Sequence, residues 1–146
     1  MAKKKDLHTL IRLRKWDVDE KRRALGVHLR EEERVLGQMQ ALEDSLARER
    51  AFVASAAPDQ RMTFEAFVRR CRAQREMLER QLAEVRARIE VARQHLAETY
   101  RRLKTFEITQ EQRDIAERKE EAHIEQMGLD EIGLTLFRRK DAGAAL

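Results

Sequence analysis

Apolar residues recur every seven positions over most of the chain, in two separate runs. In the first run one series is Ile11, Val18, Leu25, Met39, Leu46 and Val53, interrupted at Glu32. Its companion series is weaker: Leu7, Arg14, Lys21, His28, Val35, Leu42 and Glu49. Leu29 and Leu36 lie beside this seam and widen it. The second run is more regular. Phe64, Cys71, Leu78, Val85, Ala92, Thr99 and Phe106 form one series, and Val68, Arg75, Leu82, Ile89, Leu96 and Leu103 the other. A sevenfold repeat sustained over many turns keeps one stripe facing a partner helix, the requirement of a left-handed coiled coil.

Between the runs stands Pro58, the only proline. Proline removes a backbone donor and clashes with the preceding turn, so a helix rarely runs through it. It also biases the residue before it toward extended geometry. Asp59 and Thr63 beyond it are both credible N-caps. The pattern predicts helix one over about 6–53, a hinge over about 54–62, helix two over about 63–139 and a frayed tail at 140–146. The fold class is all-α: a long antiparallel two-helix coiled-coil hairpin, a single domain over 1–146, with the second helix longer than the first.

Folding at the hinge pairs positions whose numbers add to roughly 117. Leu46 then faces Cys71, Met39 faces Leu78, Leu25 faces Ala92 and Ile11 faces Phe106. Glu32 faces Val85, where its carboxylate needs a neighbouring arginine or water; Arg86 and Arg88 are candidates. Helix one runs out opposite residue 110 or so. Beyond it helix two continues through Glu111–Glu121 with little to bury, then thins to Ile124, Met127, Ile132 and Leu136. Gly128 and Gly133 are places where it could end or kink.

Composition changes the picture only modestly. The 146 residues are 40% charged and 5% aromatic, with 42% apolar, a mix of long helices rather than of a globule. The 31 basic and 27 acidic residues are interleaved, so the net charge of +4 is a weak argument for nucleic acid or membrane. The basic cluster Arg12, Arg14, Lys15, Lys21, Arg22 and Arg23 is broken by Asp17, Asp19 and Glu20, which makes it a solvated face. Cys71 is the only cysteine, so no internal disulfide forms and a reducing compartment is expected. Lys3, Lys4 and Lys5 resemble a signal-peptide start, but no apolar core follows, and no stretch is long enough to span a bilayer. The expected location is cytoplasmic.

No catalytic constellation is present: no phosphate-cradling loop, no nucleophile elbow, no paired-cysteine spacing. His8, His28, His95 and His123 are too scattered for a two-histidine helical metal site. Neither enzymatic activity nor a cofactor is expected. The informative residues are apolar ones off the seam. Leu13 and Trp16, one turn apart, fall on the opposite side of helix one from Ile11 and Val18. They read either as a docking surface or as singly exposed apolar residues. Phe67 lies on the seam's edge near the hinge, as a contact residue or as a cap packed over Phe52 or Phe64.

The opening Leu7-His8-Thr9-Leu10-Ile11-Arg12-Leu13-Arg14-Lys15, with Val18-Asp19-Glu20-Lys21-Arg22-Arg23-Ala24-Leu25 after it, resembles the start of the flagellar type III export protein FliJ. Phe64-Glu65-Ala66-Phe67, the hinge position and the Asp130-Glu131 pair are similar to that family as well. The resemblance implies a non-enzymatic hairpin like the central stalk of rotary ATPases. Such a stalk places its terminal end in the ring of the export ATPase and promotes ring assembly. It also implies binding to the membrane export gate and to export chaperones, at the cytoplasmic face of the inner membrane, in the service of flagellum biogenesis and motility. Carried onto this chain, the gate-binding face comprises Phe67, Cys71, Gln74 and Leu78. The ring-facing residues would be Leu10, Leu13 and Trp16, with the stretch from Glu111 onward. The expected solution state is a monomeric hairpin, with an intermolecular dimer of long helices as the alternative architecture. The rival readings are the equivalent stalk of a virulence injectisome, a generic coiled-coil scaffold, and a basic helical rod that binds nucleic acid.

Overall fold

Helix is the only regular structure in the computed structural model among the described residues, 6–145. Helix α1 runs from His8 to Val53 and helix α2 from Pro58 to Ala144, 46 and 87 residues long. The lysine run at 3–5 lies outside the described residues. Asp6 starts α1: its Oδ1 accepts a hydrogen bond from the His8 amide at 3.1 Å, a short-range side-chain turn typical of aspartate. The first helical bond follows, Ile11 N to the Leu7 carbonyl at 2.8 Å.

The turn between the helices is shorter than the sequence suggests. The expected hinge over 54–62 is confined to 54–57, and α2 begins at Pro58 rather than near Thr63. The reason is positional. At the first residue of a helix the missing proline N–H would have had no partner anyway, and the fixed φ suits the helix. Ala57 alone of the turn residues is neither turn, bend nor helix, as the residue before proline should be. Asp59 supplies a negative charge in the first turn, favourable to the helix dipole. Ala57 offers no capping side chain; its carbonyl instead accepts from Gln60 N at 3.1 Å. On the other side, Ser55 Oγ and the Ala56 amide take up the carbonyls of Phe52 and Val53, both at 3.1 Å. No described residue has a positive φ, so the turn needs no glycine.

The expected frayed tail is also corrected. Helix α2 passes through Gly128 and Gly133 and continues to Ala144. Neither glycine adopts the left-handed conformation that ends helices. Each costs about 1 kcal/mol in helix propensity, and the surrounding Leu, Glu, Met and Arg residues are good helix formers.

The chain divides into two units. The hairpin unit is Arg14–Arg101. Within it α2 buries Cys71, Leu78, Leu82, Val85, Ile89, Ala92 and Thr99, at the alternating three- and four-residue steps of a heptad seam. From α1 only Val18 and Val35 are buried. The polar companion series explains that imbalance: Arg14 and His28 are half-buried and Lys21 is exposed. Val35 is fully enclosed and packs with Leu78 and Leu82, joined by Met39 and Leu42. The pairing is antiparallel. Arg86 Nε donates to Glu32 Oε1 at 2.8 Å, and Arg75 Nη2 lies 3.5 Å from Glu43 Oε1. These contacts keep the paired numbers near roughly 117, the register that the heptads imply. Arg86 is thus the cation that Glu32 requires. Arg88 acts on the neighbouring Glu31, whose carboxyl is held below its ordinary range first by the hydrogen bond from Arg34 and secondarily by the charges of Arg34 and Arg88.

The terminal unit combines residues 6–13 with 102–145. Leu7 and Leu103 are buried there, and so is Gln110. Gln110 Oε1 accepts from the Leu7 amide at 2.9 Å, while its Nε2 donates to Asp114 Oδ1 at 2.8 Å. The glutamine therefore satisfies a backbone donor at the start of the chain that α1 itself leaves open. From Ile115 to Ala145 every residue is exposed.

Candidate partner-binding surfaces

Among the described residues no group of three or more His, Cys, Asp or Glu side chains could hold a metal. No helix is long and apolar enough to cross a membrane. The concavities of the hairpin unit are open grooves along the helix pair, so the surfaces themselves are the candidate sites.

The two edges of the hairpin unit differ. One edge carries the interhelical ion pairs Glu32–Arg86 and Glu43–Arg75, with Arg75 also bonded to Glu79 at 3.2 Å. The other edge is uncharged over its middle. There a shallow groove is lined by Gln38, Ala41 and Ser45 of α1 and by Gln74, Met77 and Gln81 of α2, with Arg34 at one end. In heptad terms these residues flank the seam on one side. A sequence made of 40% charged residues rarely leaves such a strip free of charge. Gln74 is exposed on this edge. The strip is legible only once both helices are aligned in register, and for that reason Gln38, Ser45 and Gln81 drew no notice as contact residues in the sequence.

The four residues assigned by resemblance to gate binding do not form one accessible face. Cys71 and Leu78 are 6% and 3% exposed and belong to the seam. Phe67 is half-buried and Gln74 exposed. Both helices occlude Cys71 and Leu78, because a residue that faces a partner helix cannot also face solvent. Nearer the turn, Phe52 and Met62 are 62% and 78% exposed. Phe52 is thus left open rather than covered by Phe67. Phe64 is half-buried and lines a groove with Arg50, Val68 and Arg69.

The three residues assigned to the ring all face solvent. Leu10 and Leu13 of the terminal unit are 42% and 53% exposed, and Trp16 of the hairpin unit is 58% exposed. Larger still is the apolar surface on the last part of α2. Ile124, Met127, Leu129, Ile132, Leu134, Leu136 and Phe137 each expose 58–64% of their surface. At roughly 100° per residue they do not form a single stripe. Met127 and Leu134, seven positions apart, share one side; Ile124 and Phe137 flank them, and Leu129, Ile132 and Leu136 gather on the opposite side. Charged residues are interspersed among them, and exposed apolar side chains on more than one side of a helix mark an interaction surface. The heptad pattern marks Ile124, Met127, Ile132 and Leu136 there; it leaves out Leu129, Leu134 and Phe137, although Leu134 is seven residues from Met127 and Leu129 seven from Leu136, because the apolar residues of this stretch spread over more than one stripe.

Searches of curated proteins and of solved structures returned no match. A family model described as "Flagellar FliJ protein" matches residues 3–142, which covers both helices nearly end to end. The chain belongs to the flagellar FliJ protein family.

Proposed function

We propose that this chain, whose family carries a flagellar export-related role, is the stalk and adaptor of the export apparatus. Its terminal unit enters the ring of the export ATPase and promotes assembly or activity of that ring. The observation that carries this reading is the stretch 115–145, wholly exposed, with large apolar side chains between Ile124 and Phe137 on more than one side of the helix. A two-helix partner would cover one stripe; a ring covers the circumference. The mechanism is allosteric. A helix inside a ring shifts the populations of subunit arrangements only through contacts that differ between them.

The uncharged edge of the hairpin unit, with Gln74 on it and Phe67 nearby, is the proposed contact for the membrane export gate. The same molecule is proposed to handle export chaperones. It would work at the cytoplasmic face of the inner membrane, as a monomer. The family match favours the flagellar machine over a virulence injectisome, and the interleaved charges disfavour a nucleic-acid-binding rod.

The test is binding of the full-length protein to the purified export ATPase, alongside a version ending at Asp114. The full chain should bind and raise ATP hydrolysis, and the shortened chain should do neither while its hairpin melts normally. Equal binding by both proteins, or normal swimming of cells that produce only the shortened one, refutes the reading.

A further inference from the structure

Within the exposed last part of α2, the charges from Glu120 to Lys140 are sorted by sign. From Glu120 to Glu131 the ionised residues are Glu120, Glu121, Glu125, Asp130 and Glu131, with no lysine or arginine. Arg138, Arg139 and Lys140 then follow together. The centres of the two bands are about 20 Å apart at 1.5 Å rise per residue. Ion pairs are frequent earlier in the chain, at spacings such as Glu31–Arg34 and Lys104–Glu107. No charged side chain from Glu120 to Asp141 makes one among the described residues. For most of them the sequence forbids it. Glu120, Glu125, Asp130, Glu131, Arg139 and Lys140 have no lysine, arginine or carboxylate of opposite sign three or four positions away, the only spacings at which side chains meet on a helix.

We propose that residues 120–140 are received by a protein sleeve with the opposite charge order: cationic side chains at the level of Glu120–Glu131 and carboxylates at the level of Arg138–Lys140. This rests on the reading that the segment enters the ATPase ring. The apolar residues supply contact area, but they point everywhere and so fix neither depth nor direction. Two bands of opposite sign fix both, because sliding or inverting the helix places like charges together.

The order of the bands can be separated from their total charge. Three full-length variants are compared: Glu125→Lys/Asp130→Lys/Glu131→Lys, Arg138→Glu/Arg139→Glu/Lys140→Glu, and all six changes together. The sixfold variant keeps the net charge at +4. Affinity for the purified export ATPase is measured from about 0.05 M to about 0.3 M NaCl, a range over which exposed charges become strongly screened. Each triple variant should bind at least about tenfold more weakly at low salt, and the sixfold variant most weakly of all. Wild-type affinity should fall as salt rises, and the melting midpoint of the hairpin should not move. Wild-type-like binding by the sixfold variant, or salt-independent wild-type binding, overturns the proposal. The chain ending at Asp114 distinguishes the two levels. If that chain has lost binding while the sixfold variant has not, only the charge order is refuted; if it still binds, ring entry and charge order fall together. Sedimentation of the free proteins covers the remaining occupant: a wild-type dimer that the triple variants dissociate would mean that the bands pair two copies of this chain, which also overturns the proposal.

Discussion

Helix α2 carries two stretches that use similar residues for opposite ends. Between Cys71 and Thr99 its apolar side chains recur in one stripe, and that stripe is buried against α1. Between Ile115 and Ala145 its apolar side chains point in all directions, and none is buried. The charges follow suit. In the hairpin unit they pair along and across the helices, as in Arg34–Glu31 and Arg86–Glu32. From Glu120 to Asp141 the described residues form no ion pair, although Gln126 Nε2 donates to Asp130 Oδ1 at 2.9 Å. Burial and pairing spend a residue's interactions within the chain. The hairpin unit is therefore where stability resides, and the last stretch leaves its apolar side chains exposed.

The sharpest way to break this comparison is to place the same lesion in both stretches. Leu82→Pro removes a helical hydrogen bond and clashes with the preceding turn in the middle of the buried seam, at about 3 kcal/mol or more. Added to the lost Leu82 packing, it should abolish the cooperative melting transition followed by circular dichroism. Leu134→Pro should leave the melting midpoint of the hairpin unchanged, because no buried side chain lies around it, and should nonetheless abolish binding to the ATPase ring. A common loss of stability in both variants would show that the two stretches are not energetically distinct. Next in size are truncations. Leu78→Ala, at a site 3% exposed, should cost about 2–4 kcal/mol in chemical denaturation. Ile124→Ala, at 60% exposed, should stay within about 0.5 kcal/mol of wild type.

How much of this was legible in the sequence depends on which stretch is read. The heptads of the hairpin unit yield the register directly, because burial imposes a period: Val35, Leu78 and Leu82 meet where the spacing places them. Even the cation for Glu32 could be narrowed to two arginines before Arg86 was seen to supply it. The turn was misjudged by a few residues. Pro58 was taken as a helix breaker, whereas at the first position of a helix it is a starter. The tail differs by only a few residues, since the helix expected to end near 139 continues to Ala144. The partner surfaces were the least legible. The uncharged edge is made of residues from both helices, and only the folded register brings Gln38 and Ser45 of α1 beside Gln74 and Gln81 of α2. The apolar residues of the last stretch are spread over more than one side of the helix and none is buried against α1, so a single seam does not capture Leu134 or Phe137.

Two smaller effects refine the contrast within the hairpin unit itself. A β-carbon added at Gly37 meets nothing within 4 Å, so Gly37→Ala should stabilise the protein by about 0.5–1 kcal/mol, measured as a raised denaturation midpoint. Gly133→Ala is equally unobstructed, but it lies outside the buried seam and should leave that midpoint where it is.

The smallest expected effect concerns Glu31. Its hydrogen bond from Arg34 holds the carboxyl below the ordinary value of 4.5. A carboxyl that is more acidic in the folded state contributes stability in full above its unfolded pKa, and that contribution is lost as pH falls through the folded pKa. Wild type should therefore melt slightly above Glu31→Gln at neutral pH, with the gap closing in the acid range below 4.5. Because the pair is solvent-exposed, added salt should shrink the gap as well. A gap independent of both pH and salt would assign the role of Glu31 to helix propensity rather than to its arginine. The charges of the hairpin unit would then be as idle within the fold as those of Glu120–Lys140, and the contrast between the two stretches would rest on burial alone.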